Sequence, residues 1–86
     1  MCLGIPAQLV AGDAGHPDLA RVDMGGVSRV INLGLLEERP RPGDWVLVHM
    51  GFALQPMTED EARDGLAALR AERDAEDAYF ETGAAT

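Results

Sequence analysis

The 86-residue sequence predicts a mainly β protein, a small five-stranded barrel followed by one C-terminal α-helix. Two observations carry that expectation. Up to about residue 57, short apolar-rich runs are punctuated by Gly and Pro, with no helical stretch between them. From Thr58 onward the apolar spacing changes to that of a helix. These features divide the single domain into a β portion over 1–57, an acidic helix over 58–81 and a disordered tail over 82–86.

The elements follow in order. IPAQLVAG can form one strand, which ends in a loop through Asp13, Gly15, His16 and Pro17. In LARVDMGGVSRVINL, Gly25-Gly26 separates two apolar-rich runs, a two-residue hairpin signal because such turns need positive φ. Pairing across it sets Met24 against Val27, Val22 against Arg29 and Ala20 against Ile31 on a mostly apolar face. The opposite face carries Asp23 with Ser28 and Arg21 with Val30. NLGLLEERPRPGD, with two Pro and two Gly, reads as a loop containing one helical turn at Leu35 and Leu36. WVLVHMGFALQP breaks at Gly51 into strands at about 45–50 and 52–57. Five short strands without long helices between them predict a closed or nearly closed barrel of the OB-like type.

Thr58-Glu59-Asp60-Glu61 has the form of a capping box, with acids suited to the positive end of the helix dipole. Ala62, Leu66 and Leu69 form a narrow apolar stripe that should pack on the barrel. Gly65 weakens this helix by roughly 1 kcal/mol relative to Ala. Beyond Leu69 the residues are nearly all charged or Ala until Tyr79 and Phe80, so the second half is either solvated or reserved for a partner.

The net charge is −8, from 15 acids against 7 basic residues, all Arg. From Thr58 onward nine acids oppose three Arg, which places −6 in the helical region. An acidic chain without a basic stripe is poorly suited to nucleic acid. No apolar run is long enough to span a membrane, and the first residues do not form a signal peptide. One Cys allows no internal disulfide, so the chain is expected in the cytoplasm.

The sequence contains no nucleotide-binding glycine pattern, CxxC or HExxH. Cys2 and two histidines remain. Cys2 is either an inert small hydrophobe or, once Met1 is removed, a terminal thiol beside a free amine. His16, in the GHPD loop, reads as a solvated surface residue. His49 shares a strand face with Trp45 and Leu47, and is either a partly buried strand histidine or a functional one. Cys2 with His49 is the only pair suited to a soft metal or thiol chemistry. Two ligands cannot close a zinc site, so a bound metal would draw its other ligands from elsewhere.

Two motifs taken together, MCLGIPAQLV at the start and GDWVLVHMGFAL at 43–54, resemble the HypC/HupF/HybG family of [NiFe]-hydrogenase maturation chaperones. The resemblance extends over nearly the whole chain, although the AGDAGHPDLA loop and the tail after Phe80 match no family pattern. It implies a chaperone that pairs with a HypD-type iron–sulfur protein, holds iron as Fe(CN)2(CO), and delivers it to the precursor of the hydrogenase large subunit. Carried over by position, Cys2 and His49 are the implied metal-binding residues. Cys2, Leu3, Gly4, Ile5 and Pro6 form the implied partner-binding arm, joined by Gly51 and Phe52. The role of His49 stays open among ligand, proton acceptor and orienting group.

On this reading the protein is not an enzyme. An alternative is a small thiol redox protein or enzyme using Cys2 with His49, which lacks a resolving Cys and an evident orienting group. A generic ligand-binding barrel is a third reading, and the charge of −8 opposes nucleic acid as its ligand.

Overall fold

The computed structural model describes the backbone of residues 4–84 and the side chains of residues 4–71. Its elements are β1 (Ile5–Ala11), β2 (Leu19–Met24), β3 (Val27–Asn32), β4 (Trp45–His49), β5 (Phe52–Met57) and α1 (Glu59–Ala84). The strands close into a ring in the order β1-β2-β3-β5-β4, with β4 returning to β1. This is the mainly β architecture with a C-terminal helix that the sequence predicts. All pairings are antiparallel except that between β3 and β5, a single parallel match of Asn32 with Phe52. Asn32 N–H donates to Gly51 O at 2.9 Å beside that match, so the ring is sealed at one narrow point.

The β2–β3 register matches the sequence expectation pair for pair, from Met24 with Val27 to Ala20 with Ile31. Gly25 and Gly26 have φ of 65° and 94°, and the Asp23 carboxylate accepts the Gly26 N–H at 2.9 Å. The alternation along β4 also holds. Val46 and Val48 are buried, Trp45 and Leu47 are half-buried on the other face, and His49 ends the strand exposed. The strand stops one residue short of the expected boundary because Met50 turns into the left-handed region. In β5, Leu54 is an unmatched residue between the Leu47–Gln55 and Val48–Ala53 pairs, a bulge that turns its side chain outward.

The core comprises Ala7, Leu9, Ala20, Val22, Ile31, Leu33, Val46, Val48 and Ala53. Among the described residues, the largest side chains essentially excluded from solvent are Leu9, Val22 and Val46. Shortening Leu9 to Ala would therefore cost about 2–5 kcal/mol, with few neighbours able to refill the space.

The expected helical turn at Leu35 and Leu36 is instead a β-turn, closed by Leu36 N–H donating to Leu33 O at 3.0 Å. Leu33 is committed to the core, and the Asn32 carboxamide captures the Gly34 N–H, so no helical ladder can start there. Arg39 reaches from this segment to donate to the carbonyls of Gly12 and Pro17, tying the two long loops together. His16 is exposed as expected, and its Nδ1 accepts the Asp18 N–H at 3.1 Å.

The capping box forms reciprocally. Thr58 N–H donates to Glu61 Oε1 at 2.8 Å, and Glu61 N–H donates to Thr58 Oγ1 at 3.1 Å. Ala62 is fully buried, while Leu66 and Leu69 are half-buried. Gly65 has a packing reason that its propensity hides, since a Cβ there would stand 2.9 Å from Pro6 Cγ. The missing side chain lets the helix close onto β1 and offsets the weakness it creates. The helix runs on to Ala84 without a proline to stop it, taking in Thr82–Ala84 from the segment expected as a tail. The side chains of Tyr79 and Phe80, and all of Ala85 and Thr86, lie outside the described residues. No described helix is long and apolar enough to cross a membrane.

Candidate functional site

The site is built where the start of β1 meets the tip of the β4–β5 hairpin. Ile5 pairs with Val48 and Pro6 with Leu47, so the incoming chain runs beside the last residues of β4. Gly4 is pressed against that strand. A Cβ on it would lie 2.8 Å from Leu47 Cγ and 3.0 Å from the Val48 carbonyl oxygen. Glycine at this position lets the chain approach β4 more closely than any side chain would permit. Pro6 tolerates its lost N–H because β2 does not pair with β1 until Gln8.

Across the ring, His49 pairs with Phe52, and Met50-Gly51 forms the two-residue link between them. Both link residues have positive φ, 53° and 83°, as a type I′ turn requires. Gly51 adopts that conformation freely. Met50 does so at a cost of about 1–2 kcal/mol, and its side chain is 85% exposed.

Gly4, Ile5, His49, Met50 and Gly51 line one open cleft of about 470 Å³. The fold thus gathers four of the residues singled out from sequence: Gly4, Ile5, His49 and Gly51. It also corrects one reading of His49, which is exposed at a strand end rather than partly buried in the sheet. Phe52 flanks the cleft as the cross-strand neighbour of His49, and is 41% exposed. Pro6 is buried and faces Gly65 of the helix, so its part is to seat the arm. Cys2 and Leu3 lie outside the described residues.

Met50, Leu69 and Arg29 are among the contributors to the cleft that were not sequence candidates. Met50 carried no signal beyond its place before Gly51. Leu69, from the helical stripe, forms part of the wall, which periodicity assigned only to packing. Arg29 also lines it and did leave a trace, because it interrupts the otherwise apolar face of the first hairpin.

Among the described residues, no three His, Cys, Asp or Glu side chains converge in a way that could hold a metal ion. His49 therefore has no described partner set for a resident metal.

Comparison with known proteins identifies the family. Residues 1–69 match the model of the HupF/HypC family. The chain is 44% identical over 73 residues to the hydrogenase maturation factor HybG of Escherichia coli strain K12, covering 81% of this chain and 89% of that protein. It is 43% identical over 75 residues to the hydrogenase maturation factor HypC of the same strain, covering 81% and 80% respectively. It is also 44% identical over 80 residues to the Frd operon uncharacterized protein C of Proteus vulgaris, covering 90% and 83%. A family match over most of the chain, including both motifs that form the cleft, shows that this protein belongs to the HupF/HypC family.

Proposed function

We propose that this protein is a maturation chaperone for a [NiFe]-hydrogenase. With a HypD-type iron–sulfur partner it holds the Fe(CN)2(CO) group, then passes it to the precursor of the hydrogenase large subunit. It works in the cytoplasm and catalyses no reaction itself. Family membership supports the general role. The observation that carries the mechanism is that Gly4, the root of the arm, lines the same cleft as His49.

Cys2 precedes Gly4 by two residues, at most ~7 Å of extended chain. A thiolate on so short a tether can work at the mouth of the cleft. It is a soft donor suited to low-spin iron bearing π-acceptor ligands. His49 can serve there as a second ligand, take the thiol proton or orient the arm. Because the iron group is cargo, the remaining coordination belongs to its own cyanide and carbonyl ligands and to the partner. An exposed, incomplete site permits release, which a closed four-ligand site would oppose.

The test is iron and infrared analysis of the protein co-purified anaerobically with its HypD-type partner. Wild type should show cyanide and carbonyl stretching bands, and Cys2→Ala should lose them while keeping its fold. A stable complex with unchanged bands in the variant would remove Cys2 from the iron site. A wild-type complex without iron would overturn the proposed function.

A further inference from the structure

The β2–β3 register puts Arg29 where the pattern of the core asks for an apolar residue. Ala20 and Val22 on β2 and Ile31 on β3 are buried on the inner face, and Arg29 stands opposite Val22 in that same alternating set. It lies near the open end of the ring and lines the cleft containing Gly4 and His49. It also lines an adjoining cleft of about 440 Å³, walled by Ile5, Met24, Leu66 and Leu69 and rimmed by Arg70.

Among the described residues no carboxylate lines either cleft, in a chain that carries 15 acids and a net charge of −8. Three other arginines are visibly engaged, whereas Arg41 and Arg70, like Arg29, make no side-chain hydrogen bond or ion pair among the described residues. Arg39 binds loop carbonyls, Arg63 pairs with Glu59, and Arg21 donates to Ser28 Oγ. Arg29 makes no ion pair and no side-chain hydrogen bond among the described residues. Arg29 is exposed, so its guanidinium is accessible to an anion entering the cleft, whose described walls offer it no competing carboxylate. Its fork of N–H donors also favours ligands with outward lone pairs.

We infer that Arg29 is the anion-recognition residue of the cleft, donating hydrogen bonds to the cyanide ligands of the iron group. The inference rests on the function proposed above and adds a recognition element to it. Iron(II) with two cyanides and a thiolate carries net negative charge, and each cyanide nitrogen accepts hydrogen bonds. The carbonyl ligand accepts them poorly and suits the apolar walls. Arg29 thus distinguishes the loaded iron group from a bare cation, which the same guanidinium repels.

The experiment has two parts. In the first, the whole protein is titrated with ferrocyanide, a stable cyanide-bearing iron anion, and followed by NMR at the arginine Nε–H groups and the His49 ring. Saturable shifts at Arg29 and His49 are expected in wild type. Arg29→Gln and Arg29→Met should weaken binding by about tenfold or more, the loss of a charge-assisted hydrogen bond. Arg41→Gln, outside both clefts, should bind as wild type does. No saturable shift, or equal affinity in the Arg29 variants, overturns the inference.

In the second part, the anaerobic complex is prepared with Arg29→Gln. Its cyanide bands should move relative to the carbonyl band while iron stays bound. Unmoved cyanide bands, or a variant that only loses its partner, would make Arg29 a docking residue and overturn the inference alone. Absence of all bands in the wild-type complex would instead overturn the function on which it rests.

Discussion

The molecule contains two hairpins built on the same kind of turn from different residues. In the first, Gly25-Gly26 supplies positive φ at both central positions without a side chain to strain. In the second, Met50-Gly51 adopts the same signs of φ, but a bulky residue occupies the first position and is 85% exposed. Neither turn is crowded, since a Cβ on Gly25, Gly26 or Gly51 would meet nothing within 4 Å. The difference therefore lies in the backbone alone. The first hairpin takes the unstrained solution and adds an Asp23 hydrogen bond to hold it. The second accepts a left-handed Met beside His49; strain of this kind clusters at functional sites, and on the proposed function this is the turn offered to the partner.

The comparison breaks most visibly with β-branched residues. Gly26→Val and Gly51→Val should each lose about 2 kcal/mol, because both force a β-branched side chain into positive φ. Urea unfolding should find the two losses similar. On the proposed function, capture of a HypD-type partner, measured well below the unfolding midpoint, should fall only for Gly51→Val. Equal capture by both variants would show that the second tip has no special role. Placing methionine in the first turn, Gly25→Met, reproduces the strain of the second and should cost about 1 kcal/mol without changing partner capture. The converse change, Met50→Asn, creates the favoured Asn-Gly turn and should stabilise by about 0.5–1 kcal/mol while weakening partner capture. A stabilised variant with full capture would reduce Met50 to an incidental strain. The smallest effect is expected for Asp23→Ala, about 0.5 kcal/mol from one exposed hydrogen bond, again read by urea unfolding.

The features legible in the sequence are those written in neighbouring residues. The Gly25-Gly26 register, the break at Gly51, the alternation of Val46 and Val48 and the Thr58–Glu61 capping box each need only a short window. The seal between Asn32 and Phe52 was not legible, because one parallel match between distant segments leaves no periodic trace. Leu35 and Leu36 were misjudged because helical propensity is local, whereas the commitment of Leu33 to the core and of Asn32 to Gly34 is not. Gly65 looked like a defect until Pro6 was found against it. At the site, Gly4, Ile5, His49 and Gly51 were all singled out from two motifs, but only the closed ring brings them to one cleft. Arg29 interrupts an apolar strand face in the sequence, but only the closed ring places it on the cleft.

The contact between Pro6 and Gly65 ties the arm's seat to the helix. The first strand and the buried face of the helix must therefore loosen or tighten together. If a partner grips the arm as proposed, amides near Ala62 and Gly65 should exchange with solvent more slowly, although they lie far along the chain from the point of grip. Release of the arm should restore their rate. The same contact couples the two positions sterically: a bulkier residue at 65 should become tolerable only when position 6 shrinks.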